Sequence, residues 1–251
     1  MSGHSKWAGI KHKKALTDAK KGKIWSKLSR EIIIAAKTGG GSMDSNARLR
    51  LIVSKAKEAN MPSDNIDRAI KKGTGELPGV IYEQVTFEGY GPGGVAIIVD
   101  ALTDNKNRTT SEVRNIFTTK VGNMAGAGSV SWLFTRKGYI VVNRSKIEEE
   151  KLMNIAIESG AEDFKADEDN YEIFTDIKDF EAVRAALQQK GIVWESAEIT
   201  MIPSSYVKVE GRPAEQLLNL VEALEDQDDV QNVYANFDLP DDVVEKHSKE
   251  N

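Results

Sequence analysis

The sequence predicts an α+β protein in three parts: an N-terminal three-helix domain, a discontinuous α/β middle domain and an inserted ferredoxin-like βαββαβ domain. The hydrophobic period changes from 3.6 to 2 residues after Pro78. A βαββαβ order follows within residues 137–203, as in a ferredoxin-like unit. The strand–helix–strand segment after it is too small to form a stable sheet alone. We therefore expect it to complete the sheet that begins near residue 80.

These patterns set the expected domain boundaries. The helical domain covers residues 1–78, the middle domain 79–136 with 204–240, and the inserted domain 137–203, leaving a tail at 241–251. A chain of 251 residues is long enough for two or three such domains.

The first domain carries three short amphipathic helices with apolar residues at three- and four-residue spacing. The first helix starts at Ile24 and ends at the glycines 39–41. The second is capped by Asp44 or Ser45 and ends near Asn60. The third starts at Pro62–Ser63 and closes at Gly73.

The remaining elements are read from alternating Val/Ile-rich runs and from two capping boxes. Strands are expected at 80–88, 94–102, 129–134, 139–143, 164–166, 171–175, 193–202 and 232–238, and helices after the capping boxes 109–112 and 145–148 and at 180–189 and 214–225. The glycine-rich segment 89–94 opens a strand rather than a helix, so it predicts a tight turn and not a nucleotide-binding loop.

Charge is divided unevenly along the chain. Residues 1–78 hold 17 Lys and Arg against 7 Asp and Glu, whereas residues 79–251 hold 17 against 32. The overall charge of −5 therefore conceals a basic module joined to an acidic one. A basic end of this kind indicates a polyanionic partner, with nucleic acid as the leading candidate.

The candidate nucleic-acid contacts fall in three groups. A basic arm offers cations for phosphates and an aromatic ring for a base; the alternative is a solvated tail. The second helix has cations on both flanks of its apolar stripe, which also fits side chains extending around a buried stripe. Arg108 follows a polar loop at a helix start, where a phosphate or a simple capped connection is equally consistent. The full set is Lys6, Trp7, Lys11, His12, Lys13, Lys14, Lys20, Lys21, Lys23, Lys27, Arg48, Arg50, Lys55, Lys57 and Arg108.

A helix-turn-helix is not indicated, because the turns look glycine-rich and the third helix looks short. Catalysis finds little support, since all three histidines lie near the termini and no HExxH, G-x-S-x-G or Walker A motif occurs. The absence of cysteine excludes disulfides and thiolate metal sites. Acidic groups such as Asp228/Asp229 read as solvated helix ends. We expect no enzyme, cofactor, metal or membrane span, and a cytoplasmic location.

Several segments together resemble one family over essentially the whole chain. They are Gly3–Trp7, Gly40–Ser42, Asn46–Arg50, Ala59–Pro62, Ile66–Lys72, Glu88–Gly94, Leu102–Asn105, Asn107–Thr109 and Gly128–Trp132. These motifs are similar to those of the YebC/PmpR family, which is linked to a mitochondrial translational activator of cytochrome oxidase. The family often has glycine where this chain has Val121 and Ala125.

The resemblance implies three domains around a cleft and no enzymatic activity. It also leaves two functions open. Family members are widely described as DNA-binding transcriptional regulators, and others as translation factors that act at the ribosome on stalled proline-rich stretches. The expected partners are accordingly DNA, or ribosomal RNA and tRNA on the ribosome, for a chain expected to be a monomer.

Overall fold

The computed structural model describes residues 18–167, 169–240 and 243. It confirms the predicted fold class, with an N-terminal helical region followed by mixed helix and sheet. In the described part of the chain no helix is long and apolar enough to cross a membrane.

Three helices form the first unit: α1 (Asp18–Gly39), α2 (Ala47–Glu58) and α3 (Ser63–Thr74). Their inward faces form one apolar core that includes Ile32, Leu49 and Ile66. Asn46 caps α2 by accepting the N–H of Leu49, in place of the predicted Asp44 or Ser45. Gly73 lies inside α3, where an added Cβ would come 2.5 Å from the carbonyl oxygen of Ile33. The helix instead ends at Gly75, whose φ of 85° suits glycine.

The middle unit is a four-stranded antiparallel sheet in the order β3-β1-β2-β9. Helices α4 and α7 supply residues such as Phe117 and Leu217 to the core beneath it. As predicted, a strand from the end of the chain pairs with β2 and completes the sheet. The elements are β1 (Glu83–Tyr90), β2 (Ala96–Thr103), α4 (Lys106–Thr119), β3 (Asn123–Ala125), α7 (Gly211–Asp226) and β9 (Val230–Ala235).

The second sheet has the order β5-β6-β4-β7, with every pair antiparallel. This is the strand order of the predicted ferredoxin-like unit. Its elements are β4 (Phe134–Asn143), α5 (Glu149–Glu158), β5 (Ala161–Ala166), β6 (Asn170–Thr175), α6 (Phe180–Gln189) and β7 (Ser196–Pro203). Two short strands, β8 (Val207–Lys208) and β10 (Phe237–Asp238), pair in parallel near the end of the chain.

Three further local predictions are wrong. Helix α4 starts at Lys106 with Asn105 as its cap, so Thr109 lies within the helix. Helix α5 starts at Glu149, after a short 3₁₀ turn that occupies the predicted capping box. Of the strand predicted at 129–134, only Phe134 is in a strand, as the first residue of β4; residues 129–133 are a loop and a 3₁₀ turn.

The two sheets pack against each other near the start of β4. Ile98 from β2 meets Val130 and Phe134, with Met201 from β7 partly buried beside them. The predicted boundary at 136/137 falls inside β4, which begins at Phe134. Whether the predicted units fold independently stays a prediction.

Candidate nucleic-acid interface

The predicted basic arm lies largely outside the described residues. This applies to Lys6, Trp7, Lys11, His12, Lys13 and Lys14 and to the side chain of Lys20. The described part of the predicted interface therefore consists of α1 from Lys21 onward, α2 and Arg108.

Basic side chains of α1 contact the C-terminal end of α7. Lys27 Nζ donates to the carbonyl oxygen of Glu225 at 2.7 Å, and Lys23 Nζ donates to that of Asp226 at 3.1 Å. The last carbonyls of a helix lack partners within the helix, and its C-terminal end carries partial negative charge. Two cations predicted to bind phosphate thus help to hold the helical unit against the acidic module.

Asp229 extends this contact into a buried ion cluster. Its carboxylate accepts hydrogen bonds from Arg108 Nη2 and Thr109 Oγ1, both at 2.7 Å, and lies 3.6 Å from Arg30 Nη2. Burial opposes ionisation of Asp229, but the hydrogen bonds from Arg108 and Thr109 outweigh it and lower its pKa. The cluster borders a surface pocket of about 620 Å³ between α1, α4 and the end of α7.

Arg108 is consequently engaged with carboxylates. Besides Asp229, it bonds Asp104 at 2.9 Å, and these two acids raise its pKa above the usual value. A phosphate at this helix start would compete with two carboxylates for the guanidinium. The structure also corrects the view of Asp229 as part of a solvated helix end, because its side chain is only 5% exposed.

The two flanks of α2 face different surroundings. Arg48 and Lys55 lie in a cleft of about 580 Å³ that the helical unit shares with both sheets. The cleft also contains Arg136 and Lys178, but four carboxyl groups offset these cations: Glu31, Asp100, Glu181 and Glu198. Burial raises the pKa of Glu31, and the nearby Lys55 and Arg48 partly offset this effect. The cleft is therefore a mixed-charge site rather than a groove of uniform positive charge.

The other flank of α2 carries Arg50 and Lys57, which are better candidates for phosphate contact than Arg48 and Lys55. Both are exposed, and within the described ranges neither side chain forms an ion pair or hydrogen bond. Leu49 and Ala56 anchor the same helix in the core, so the two cations sit on a fixed support.

The two reasons given from the sequence against a helix-turn-helix, glycine-rich turns and a short third helix, do not hold for α2 and α3. Helix α3 is as long as α2, at 12 residues each, and the four-residue connection 59–62 contains no glycine. The first two turns of α3 nevertheless expose Asp64 and Asp67. A recognition helix contacts base edges through its N-terminal residues, and carboxylates there would be repelled by the negative charge of the duplex.

One surface feature was not singled out by sequence reasoning. The carboxylate of Glu88 is buried and accepts the backbone N–H groups of Gly128 and Val130 at 2.7 Å and of Ser131 at 2.9 Å. Burial alone would raise the pKa of Glu88, but these donors lower it below the usual value. The loop so fixed presents Trp132, which is 74% exposed.

Other residues that sequence reasoning missed are Arg30 and Asp229. Arg30 continues the α1 series Lys23 and Lys27 at three- and four-residue spacing, a signal that was available in the sequence. Asp229 gave no local signal, because its hydrogen-bond partners Arg108 and Thr109 lie about 120 residues away.

Comparison with known proteins identifies relatives along the whole chain. A model of the TACO1/YebC protein N-terminal domain matches residues 5–76, and one of the TACO1/YebC second and third domain matches residues 82–237. The chain is 60% identical over 248 residues to a "probable transcriptional regulatory protein" of Natranaerobius thermophilus, covering 98% of this chain and 99% of the relative. It is 56% identical over 246 residues to a protein of the same description from Geobacter sulfurreducens, with 98% and 99% coverage.

Among solved structures, the chain is similar to a conserved hypothetical protein from Aquifex aeolicus. The TM-score is 0.80 and the sequences are 49% identical, over 89% of this chain and 93% of that one. The two family models together account for nearly the whole length, and they confirm the resemblance inferred from the sequence motifs. The chain belongs to the TACO1/YebC family.

Proposed function

We propose that this protein is a non-enzymatic regulator of gene expression that acts by binding nucleic acid through its basic N-terminal domain. The observation that carries the proposal is the charge division, +10 in residues 1–78 against −15 in the rest. Counterion release from phosphates would supply most of the affinity. The names of the relatives, probable transcriptional regulatory proteins, support a regulatory role.

The surface we assign to this function consists of the basic arm and the outer flank of α2. Arg50 and Lys57 are exposed cations with no described partner, whereas Lys23, Lys27 and Arg108 already contact the acidic module. A phosphate bound by any of the latter three would share the cation with an internal acceptor. Duplex DNA with little sequence preference is the substrate that fits fixed cations without a base-reading helix.

The double variant Arg50→Gln/Lys57→Gln tests this assignment. If both side chains neutralise phosphates, the slope of log K against log salt falls by about 1.4 to 1.8. Lys146→Gln/Lys151→Gln removes the same charge from exposed positions on the acidic module and is the matched control. Equal slopes for the two variants would contradict the assignment.

A second candidate, a translation factor bound to ribosomal RNA or tRNA, is favoured by one observation. Helix α3 exposes Asp64 and Asp67 in the N-terminal turns with which a DNA-reading helix would contact base edges. Folded RNA is recognised by shape, stacking and phosphate contacts, for which such a helix is not needed. Gradient sedimentation of lysate, beside binding to specific and scrambled promoter duplexes, separates the two. Absence from ribosomal fractions with a preference of about 10³ or more for one promoter would select the transcriptional function.

A further inference from the structure

Trp132 lies on a loop whose backbone is held by the buried side chain of Glu88. Three backbone N–H groups of the loop converge on the buried carboxylate of Glu88. Within the loop, Ser129 Oγ donates to the carbonyl of Gly126 at 2.7 Å, and Leu133 N–H donates to that of Val130 at 3.0 Å. The backbone of the loop is thus held by contacts on both sides of residue 129.

The polar atoms of the local aromatic side chains are already occupied. Trp132 Nε1 and Tyr90 Oη both donate to the carbonyl oxygen of Ser129, each at 3.1 Å. A shared acceptor brings the two side chains together at the surface, where Tyr90 is also exposed. Because the indole N–H already donates within the protein, Trp132 offers a partner its ring faces rather than a directional hydrogen bond.

The size of the apolar surface favours a small planar partner over a protein. Besides Trp132 and Tyr90, the turn before β3 exposes Val121, held at a φ of 63° that a β-branched residue rarely adopts. Stable protein–protein interfaces bury roughly 800 Å² on each side around an apolar centre. Two rings and a valine cannot supply such a centre, but one indole is large enough to stack on a single base.

The backbone beside the ring is open. A side chain added at Gly126 or Gly128 would meet no atom within 4 Å, so the surface next to Trp132 is unobstructed. A strand that stacks one base on the indole could therefore pass close to the main chain of this loop.

From these contacts we propose that Trp132 is a preformed stacking platform for one unpaired base of a single-stranded nucleic acid. The proposal rests on the proposed function, because it assumes a nucleic-acid partner. It adds a contact outside the basic domain and specifies unpaired over paired bases, since a base in a duplex already stacks on its neighbours. Sequence preference is weak, because every base has a ring face.

The test compares Trp132→Ala, Trp132→Phe and wild type in binding to a single-stranded oligoadenylate of roughly 20 nucleotides and to a duplex of that length. We expect Trp132→Ala to weaken single-strand binding by about 5- to 150-fold. Trp132→Phe retains most of the affinity, and duplex binding is unchanged in both variants. Stacking releases few counterions, so the salt slope of Trp132→Ala stays parallel to that of wild type.

Two further variants separate stacking from other effects. Ile81→Ala removes an apolar side chain of equal exposure, 74%, and we expect no loss of affinity. Glu88→Gln keeps the indole but weakens the support of its loop, so single-strand affinity falls by less than in Trp132→Ala.

The outcomes distinguish this proposal from the proposed function. If Trp132→Ala binds single strands as wild type does while duplex binding persists, the platform is refuted and the basic domain remains. Equal losses for single strand and duplex also refute it. If wild type binds neither probe at low salt, the proposed function itself is wrong.

Discussion

The Asp229 cluster gives the most direct measure of how the basic and acidic modules are joined. In Asp229→Asn, Arg30 and Arg108 keep their charges but lose the carboxylate between them. Removing one partner of a buried ion pair costs about 3 to 5 kcal/mol. The Arg108 side chain is 44% exposed, so water recovers part of this loss and we expect a decrease of about 2 to 4 kcal/mol in the free energy of unfolding. Urea denaturation followed by circular dichroism measures it.

The dependence on pH provides a second criterion. Because folding lowers the pKa of Asp229, its contribution is complete above the unfolded-state pKa of about 3.9 and disappears as pH falls through the folded-state pKa. The difference between wild type and Asp229→Asn should be constant near neutrality and shrink below about pH 4. Asp228→Asn alters an exposed neighbour and should cost less than about 0.5 kcal/mol. Equal losses in the two variants, or a difference that persists in acid, would refute this reasoning.

Three other changes test separate parts of the structure. Glu88→Gln should lower the free energy of unfolding by about 1 to 3 kcal/mol, because three backbone donors lose a charged acceptor, and urea denaturation measures it. Asp226→Lys places a like charge beside Lys23, which should push the Lys23 side chain away from α7 and leave it available to phosphates. Oligonucleotide affinity should therefore rise more than in Asp228→Lys, which makes the same change in net charge. Replacing residues 134–203, the span from the start of β4 to the end of β7, by a short Gly/Ser linker should leave a folded middle sheet, and the excised unit should fold alone. An unfolded remainder by circular dichroism would argue against the discontinuous arrangement.

The periodic elements were predictable because their apolar residues repeat at the spacing of one buried face. Helix α6 has the predicted bounds, and β9 joins the middle sheet as expected, whereas β8 and β10 form a separate pair. The failures arise where a distant partner decides the local structure. Residues 129–134 read as a strand, but Glu88 takes the N–H groups that a ladder would need.

The same cause explains the errors at the predicted site. Thr109 reads as a cap, but its hydroxyl bonds Asp229 while Asn105 caps the helix. Asp229 reads as solvated because its neighbour Asp228 is, and nothing nearby in sequence signals its burial. Lys23 and Lys27 read as free cations because the acceptors at the end of α7 are about 200 residues away. Sequence patterns identify which residues are basic but not which of them the fold has already used.

The contact between α1 and α7 has a consequence for how the sequence can vary. Its acceptors at Glu225, Asp226 and Asp228 include main-chain carbonyls, which any residue type supplies. Substitutions of these acids leave those acceptors in place. The helix orients the carbonyls of Glu225 and Asp226, and Gln227 holds the turn that follows, because its side chain accepts the N–H groups of Asp229 and Val230. The contact between α1 and α7 thus depends on the length of α7 more than on its acidic side chains. A one-residue insertion in α7 would disrupt this contact more than exchange of those side chains.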